Sequence, residues 1–68
     1  MNKTTLYLRQ KRLEKELTIQ NVADKLGISF GSYSHKERGI TKFNIDEIKK
    51  LSKILTIPSD EIVSIFLS

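Results

Sequence analysis

The chain has 68 residues, with 12 Lys and Arg against 8 Asp and Glu, one His and no Cys, so its formal net charge is +4. This length predicts one domain over residues 1–68 with a thin core, and the lack of cysteine excludes disulfides, thiolate metal sites and thiol redox chemistry. Residues 1–42 hold nine basic and four acidic side chains and residues 43–68 hold three and four, an asymmetry that favours a polyanionic partner for the first two-thirds.

Apolar residues recur at helical spacing along the chain, whereas the alternation typical of strands is not sustained anywhere. We therefore predict an all-α fold of five short helices, most of them opened by a Thr, Ser or Asn residue as N-cap. The predicted elements are a first helix from Thr4 or Thr5 to about Lys15, a second after Thr18 that ends at Gly27, a third from Ser29 to Gly39, a fourth from Asn44, and a fifth from Pro58 or Ser59.

The second and third predicted helices are short and are joined by a turn of only a few residues. Val22 and Ala23 mark one apolar face, and Gly27 provides the positive φ that a sharp turn needs. An apolar Ile28 follows the glycine, and a bulky Tyr33 lies ten residues after the alanine. This spacing predicts a helix-turn-helix over residues 18–38, a motif that presents its second helix to the DNA major groove.

Other functional classes lack their sequence signals. No carboxylate pair lies at a defined helical spacing in a plausible pocket, no nucleophile–histidine arrangement is suggested, and no glycine-rich phosphate loop is present, so we predict that the chain is not an enzyme. One His without Cys supplies too few ligands for zinc. The apolar stretch 62–67 is far below the roughly 20 residues of a membrane span, and no signal segment is evident. We expect a cytoplasmic protein without cofactor, metal, membrane segment or small-molecule ligand.

The segment 18–29, TIQNVADKLGIS, followed by YSHKERG at 33–39, resembles the phage repressor/Cro-type helix-turn-helix family, also called the xenobiotic-response-element type. Leu8 and Arg12 match its Leu-x-x-x-Arg signature, and Glu37 and Gly39 match its Glu-x-Gly. The resemblance covers about residues 4–66. It implies a compact five-helix, lambda-repressor-like domain and a transcriptional regulator, a repressor, that binds palindromic double-stranded DNA as a homodimer.

The resemblance also implies roles for individual residues. Arg12 and Glu37 correspond to a structural salt bridge between the first helix and the recognition helix. Base reading falls to four residues of the third helix: Phe30, Gly31, Ser32 and His35. The sequence departs from the family at Phe30 and Gly31, where Gln, Arg, Asn or Lys is common. Phe30 is expected either to pack on a thymine methyl group or to pack against the second helix.

The same resemblance implies one group of residues that contact phosphate and another that forms a dimer interface. The phosphate-contact candidates are Ser29, Gln20, Lys36, Arg38, Thr41, Lys42 and Asn44. Asn44 has an alternative role as the cap of the fourth helix, and each loop residue is alternatively a solvated side chain. The candidates for the dimer interface are Ile54, Val63, Phe66 and Leu67, which alternatively close the core of a monomer.

The lack of Gln and Arg at the reading positions keeps a second function open. The chain is alternatively a protein-interaction module, such as the antitoxin of a toxin–antitoxin pair or an antirepressor of a phage or other mobile element. A third alternative is a piece of a longer regulator, which the capped fifth helix disfavours.

Overall fold

The computed structural model describes residues 2–66, which form five helices and no strand. The helices are α1 (Lys3–Glu14), α2 (Ile19–Leu26), α3 (Phe30–Glu37), α4 (Ile45–Ile54) and α5 (Ser59–Phe66). This arrangement confirms the predicted all-α fold of five short helices. None of these described helices is long and apolar enough to cross a membrane.

Local capping sets the helix starts. Thr18 and Asn44 each accept a hydrogen bond from the third residue of the helix that follows, and that residue's side chain accepts one in return. The predicted start of the first helix was wrong, because α1 begins at Lys3 rather than at Thr4 or Thr5. The physical reason is that the side chain of Asn2 accepts a 2.7 Å hydrogen bond from the Thr5 backbone N–H and so caps the helix earlier.

A single apolar core holds the helices together. Its members are buried side chains from α1, α2, α3 and α4 and the segment after α4: Leu8, Val22, Ala23, Leu26, Tyr33, Leu51, Leu55 and Ile57. The short helix α2 packs against both α3 and α4, and α1 packs against α3 and α5. An eight-residue helix is marginal alone, so the position of α3 depends on this packing.

The turn between α2 and α3 has the predicted geometry. Gly27 takes φ +75°, in the left-handed region, and the Ile28 N–H donates to the Ala23 carbonyl at 3.0 Å. Ile28 then packs on the core, and Ser29 caps α3 by accepting a 3.1 Å hydrogen bond from the Ser32 N–H. These bonds fix the direction in which α3 leaves the turn.

Two long-range hydrogen bonds fasten α5 to α1. The Tyr7 hydroxyl donates to Glu61 Oε2 at 2.6 Å, and the Thr4 hydroxyl donates to the Ile65 carbonyl at 2.8 Å. Burial and the neighbouring Glu61 carboxylate raise the pKa of Tyr7 above its usual range, which keeps the phenol protonated and donating. The last helix is therefore part of the same packed unit as the helix-turn-helix.

Thr56, between α4 and α5, has φ +55°, a left-handed conformation that is costly for a β-branched residue. We expect Thr56→Gly to raise the free energy of unfolding by about 1 kcal/mol, measured by urea titration. Thr41→Gly is the matched control, because the backbone of Thr41 is outside the positive-φ region and gains nothing from glycine. A midpoint for Thr56→Gly at or below that of the wild type would contradict strain at this turn.

Candidate nucleic-acid interface

The outer face of α3 is built by residues that the core does not use. Tyr33 and Glu37 point inward and are buried, which leaves Gly31, His35 and Arg38 exposed at a spacing of four and three residues. Residues at this spacing lie on the same side of a helix. Phe30 and Ser32 flank this face at the start of the helix. The four predicted base-reading residues therefore lie together, in and beside the first turns of one accessible helix.

Phe30 is the apolar member of this surface. Its side chain is 51% exposed, and it is not among the hydrophobic residues that pack against the core. Gly31 beside it has an ordinary helical φ, and a Cβ added there meets nothing within 4 Å. The residue is thus about half exposed, and it is not among those that pack on the core, so the structure leaves Phe30 accessible to a partner.

Behind this face lies a buried polar network. Arg12 Nε and Nη2 donate to the two oxygens of Glu37 at 2.9 and 3.3 Å, and Arg12 Nη1 donates to the Leu17 carbonyl at 3.0 Å. The Tyr33 hydroxyl donates to Glu37 Oε1 at 3.1 Å. Burial first, and the Glu37 charge second, raise the pKa of Tyr33 well above its usual range, so the phenol remains a donor. The network joins α1, the turn after it and α3.

The segment after α3 presents most of the predicted phosphate contacts. Gly39 has φ +80°, and the following loop folds back so that the Ile40 N–H donates to the His35 carbonyl at 2.8 Å. Arg38, Thr41 and Lys42 are exposed along this loop. Neither of these two cations forms an ion pair within residues 2–66. Their charges are therefore available to a polyanion beside the C-terminal end of α3.

Other predicted phosphate residues already have partners. Lys36 Nζ is 3.2 Å from Glu47 Oε1 and donates to the Lys42 carbonyl at 2.9 Å, so its charge is largely balanced. The Asn44 side chain accepts the Glu47 N–H at 2.8 Å as the cap of α4, the alternative role expected for it. Gln20 is exposed at the start of α2 and donates to Asp24 Oδ1 at 2.8 Å. Lys36 thus holds the loop after α3 in place, and the Gln20 side-chain amide is bonded to Asp24 within α2.

A cleft of about 250 Å³ between α1, α2 and the end of α3 was not anticipated as a contact site. Its lining residues are Thr5, Arg9, Arg12, Ile19, Glu37 and Arg38. Thr5 is 4% exposed, and its hydroxyl is the one buried side-chain polar atom in residues 2–66 that has no hydrogen-bond partner. The position of Arg9 one turn before Arg12 could have indicated that it lines this cleft, whereas no sequence pattern indicates that the Thr5 hydroxyl lies there.

The predicted dimer residues differ in their surroundings. Ile54 is partly buried against the core, and the Phe66 ring packs edge-on against Phe43 with ring centroids 5.5 Å apart. Val63 is 58% exposed on the outer side of α5. Leu67 lies outside the described residues. Val63 is thus the described member of the set that the monomer leaves most accessible.

Comparison with known families agrees with this geometry. A family profile described as helix-turn-helix matches residues 8–62, which span all five helices in whole or in part. Comparisons with curated proteins and with solved structures gave no match. The family is a non-enzymatic, DNA-binding one, and the predicted resemblance is confirmed. The chain therefore belongs to the Cro/C1-type helix-turn-helix family of DNA-binding domains.

Proposed function

We propose that the chain is a sequence-specific transcriptional repressor that places α3, together with its caps Ser29 and Arg38, in the major groove of a double-stranded operator. One observation carries the proposal: the start of α3 is exposed and uncharged, and cations that have no ion-pair partner in residues 2–66 lie in the cleft beside the end of α3 and in the segment after it, namely Arg9, Arg38 and Lys42. An uncharged reading surface with cations to one side of it suits base contacts at the first and phosphate contacts at the second.

The proposed division of labour follows the accessible groups. Phe30, Gly31, Ser32 and His35 meet base edges. Arg38, Lys42 and Thr41 hold one stretch of phosphates, and Gln20, Ser29 and the Asn44 amide add neutral contacts. Arg9 extends the phosphate surface into the cleft beside α2. Lys36 acts through the loop that it braces rather than by direct contact.

We also propose that two copies of the chain assemble on the operator. Two copies meet through α5, with Val63 at the centre, and place their recognition helices about 34 Å apart on a palindrome. A two-fold protein dimer matches a two-fold DNA site because each half-site then receives the same contacts. Residues 1–68 act as a single domain, in the cytoplasm, and repress by occupying DNA that the transcription machinery needs.

Selection of bound sequences from a random DNA pool tests this function. We expect enrichment of a site with two symmetric halves, and an affinity that falls with salt at a logarithmic slope of about −0.9 for each phosphate contact. Arg38→Ala and Lys42→Ala should each reduce the steepness of that slope by about 1 while leaving the selected sequence unchanged. Lys53→Ala on α4 removes the same charge far from α3 and should leave the slope unaltered.

Two outcomes contradict the proposal in different ways. Binding that is independent of salt and sequence would remove the DNA-reading role of α3. Enrichment of asymmetric single half-sites would remove the dimer and keep the reading role. The exposed ring of Phe30 also favours a second candidate, a protein-interaction module such as an antitoxin or antirepressor. A stoichiometric protein partner that is lost in Phe30→Ala, without operator binding, would support that candidate instead.

A further inference from the structure

The first turn of α3 lacks the side chains that usually read purines. Residues 29–32 present two hydroxyl groups, one phenyl ring and one glycine, with no amide, guanidinium or ammonium among them. The Ser29 hydroxyl is already engaged, because it caps the helix by accepting from the Ser32 N–H. Bidentate reading of guanine or adenine needs an Arg, Lys, Asn or Gln at these positions. What this turn reads must therefore be largely apolar.

The chain itself gives no reason for Phe30 to be a phenylalanine. Its ring is about half exposed, forms no ring pair within residues 2–66 and is not among the residues that pack on the core. Buried aromatic side chains stabilise a fold, whereas an exposed ring adds little. An exposed ring at the start of a recognition helix is instead available to an apolar partner.

Nothing in the described fold requires a glycine at position 31 either. Its φ is not in the left-handed region, and a Cβ at this position has open space around it. A glycine inside a helix costs about 1 kcal/mol relative to alanine. Since neither backbone conformation nor packing requires glycine, the lack of a side chain leaves the helix backbone accessible from outside at this position. This bare backbone lies directly beside the exposed ring and on the same outer face as His35 and Arg38.

We propose that Phe30 and Gly31 together recognise the C5-methyl group of a pyrimidine in the major groove. The occupant is thymine, or equally 5-methylcytosine, read by its methyl group rather than by its hydrogen-bonding edge. This inference rests on the proposed function. The C5-methyl group is the apolar group that bases display in the major groove, and a phenyl ring is a suitable contact for it. The unpaired cations beside the C-terminal end of the same helix, Arg38 and Lys42, favour DNA over an apolar protein surface as the partner.

Exchange of thymine for uracil in the selected operator tests the methyl group alone, because it removes the methyl and keeps every hydrogen-bonding group. For the wild type we expect a loss of affinity of about four-fold per half-site, at one thymine position, as expected for one buried methyl group. At the same position, 5-methylcytosine should bind more tightly than cytosine by a similar factor.

Variants assign the effect to the two residues. Phe30→Ala should bind the thymine operator more weakly and should no longer distinguish uracil from thymine. Gly31→Ala should cover the bare backbone with a methyl group and also lose the distinction, although the free protein becomes more stable because nothing in the fold opposes the added methyl group. Arg38→Ala is the control, since it should weaken both operators equally and leave the ratio unchanged. Circular dichroism of each variant verifies folding.

Three results overturn the inference. The first is equal wild-type affinity for the thymine and uracil operators at every position, with sequence selectivity intact, which leaves the proposed function standing. The second is an undiminished thymine preference in both Phe30→Ala and Gly31→Ala, which assigns methyl reading to other residues. The third is the absence of any selected, salt-sensitive DNA site, in which case the proposed function fails as well.

Discussion

Glu37→Ala is expected to lower the free energy of unfolding by about 3–5 kcal/mol, the cost of removing one partner from a buried ion pair. Glu37 is 4% exposed and accepts hydrogen bonds from both Arg12 and Tyr33. Without the carboxylate, the Arg12 charge remains buried beside a phenol whose hydroxyl has lost its acceptor. A domain of this size has a stability of only about 3–10 kcal/mol. The variant should therefore unfold at a much lower urea concentration than the wild type.

A urea titration followed by circular dichroism measures this loss, and two variants separate its parts. Tyr33→Phe removes one hydrogen bond to Glu37 and keeps the ion pair, so its cost should be only about 1 kcal/mol. The double variant Arg12→Met with Glu37→Leu replaces the pair by apolar side chains and should recover much of the lost stability. Glu14→Ala is the control, because it removes an exposed carboxylate that forms a 3.8 Å contact with Lys11 and accepts a 3.4 Å hydrogen bond from Gln10, both at the surface.

The comparison of these variants decides between two roles for the network. A Glu37→Ala midpoint equal to that of the wild type would show that the pair does not hold α1 against α3. A double variant as unstable as Glu37→Ala would show that the damage comes from lost shape rather than from an unpaired charge. In either case an interaction other than the Arg12–Glu37 pair would have to hold Arg38 in place, since Arg38 follows Glu37 directly and lines the same cleft.

Local sequence signals predicted the helix boundaries because each start is fixed within four residues of its cap. Thr18, Ser29 and Asn44 all cap helices, as their residue types indicate, and Gly27 makes the left-handed turn. The start of α1 was missed because Asn2 competes with two threonines a few residues later, and its asparagine oxygen reaches the Thr5 N–H. Where several cap types stand close together, the local pattern does not choose between them.

Features formed between distant segments lay beyond the sequence pattern. The Lys36–Glu47 pair depends on how the loop after α3 folds back, which the local pattern does not specify. The unpartnered Thr5 hydroxyl becomes notable only once α1 is packed against α3. The exposure of Phe30 likewise depends on the angle between α2 and α3, which local spacing does not specify. The motif located the site, and tertiary packing determined which groups remain free within it.

Gly39→Ala is expected to cost about 2–3 kcal/mol of unfolding free energy, from two sources that act together. Its φ of +80° is unfavourable for any residue with a Cβ, at about 1–2 kcal/mol. The added Cβ would also lie 2.5 Å from Asn2 Nδ2, so the asparagine side chain must move. Because the same side chain caps α1 at Thr5, its displacement adds about 1 kcal/mol.

Gly27→Ala is the matched control for this prediction, because Gly27 has nearly the same φ, +75°, and nothing within 4 Å of an added Cβ. Urea titration should therefore show only the backbone cost at Gly27 and the larger cost at Gly39. In an Asn2→Ala background the obstructing side chain is already gone, so Gly39→Ala should then cost as little as Gly27→Ala. Equal costs for the two glycines in the wild-type background would mean that Asn2 moves aside without giving up its cap. A Gly39 cost that persists undiminished without Asn2 would contradict the obstruction, because the next nearest side chain, Thr5, has its hydroxyl at an ordinary contact distance of 3.8 Å from the added Cβ.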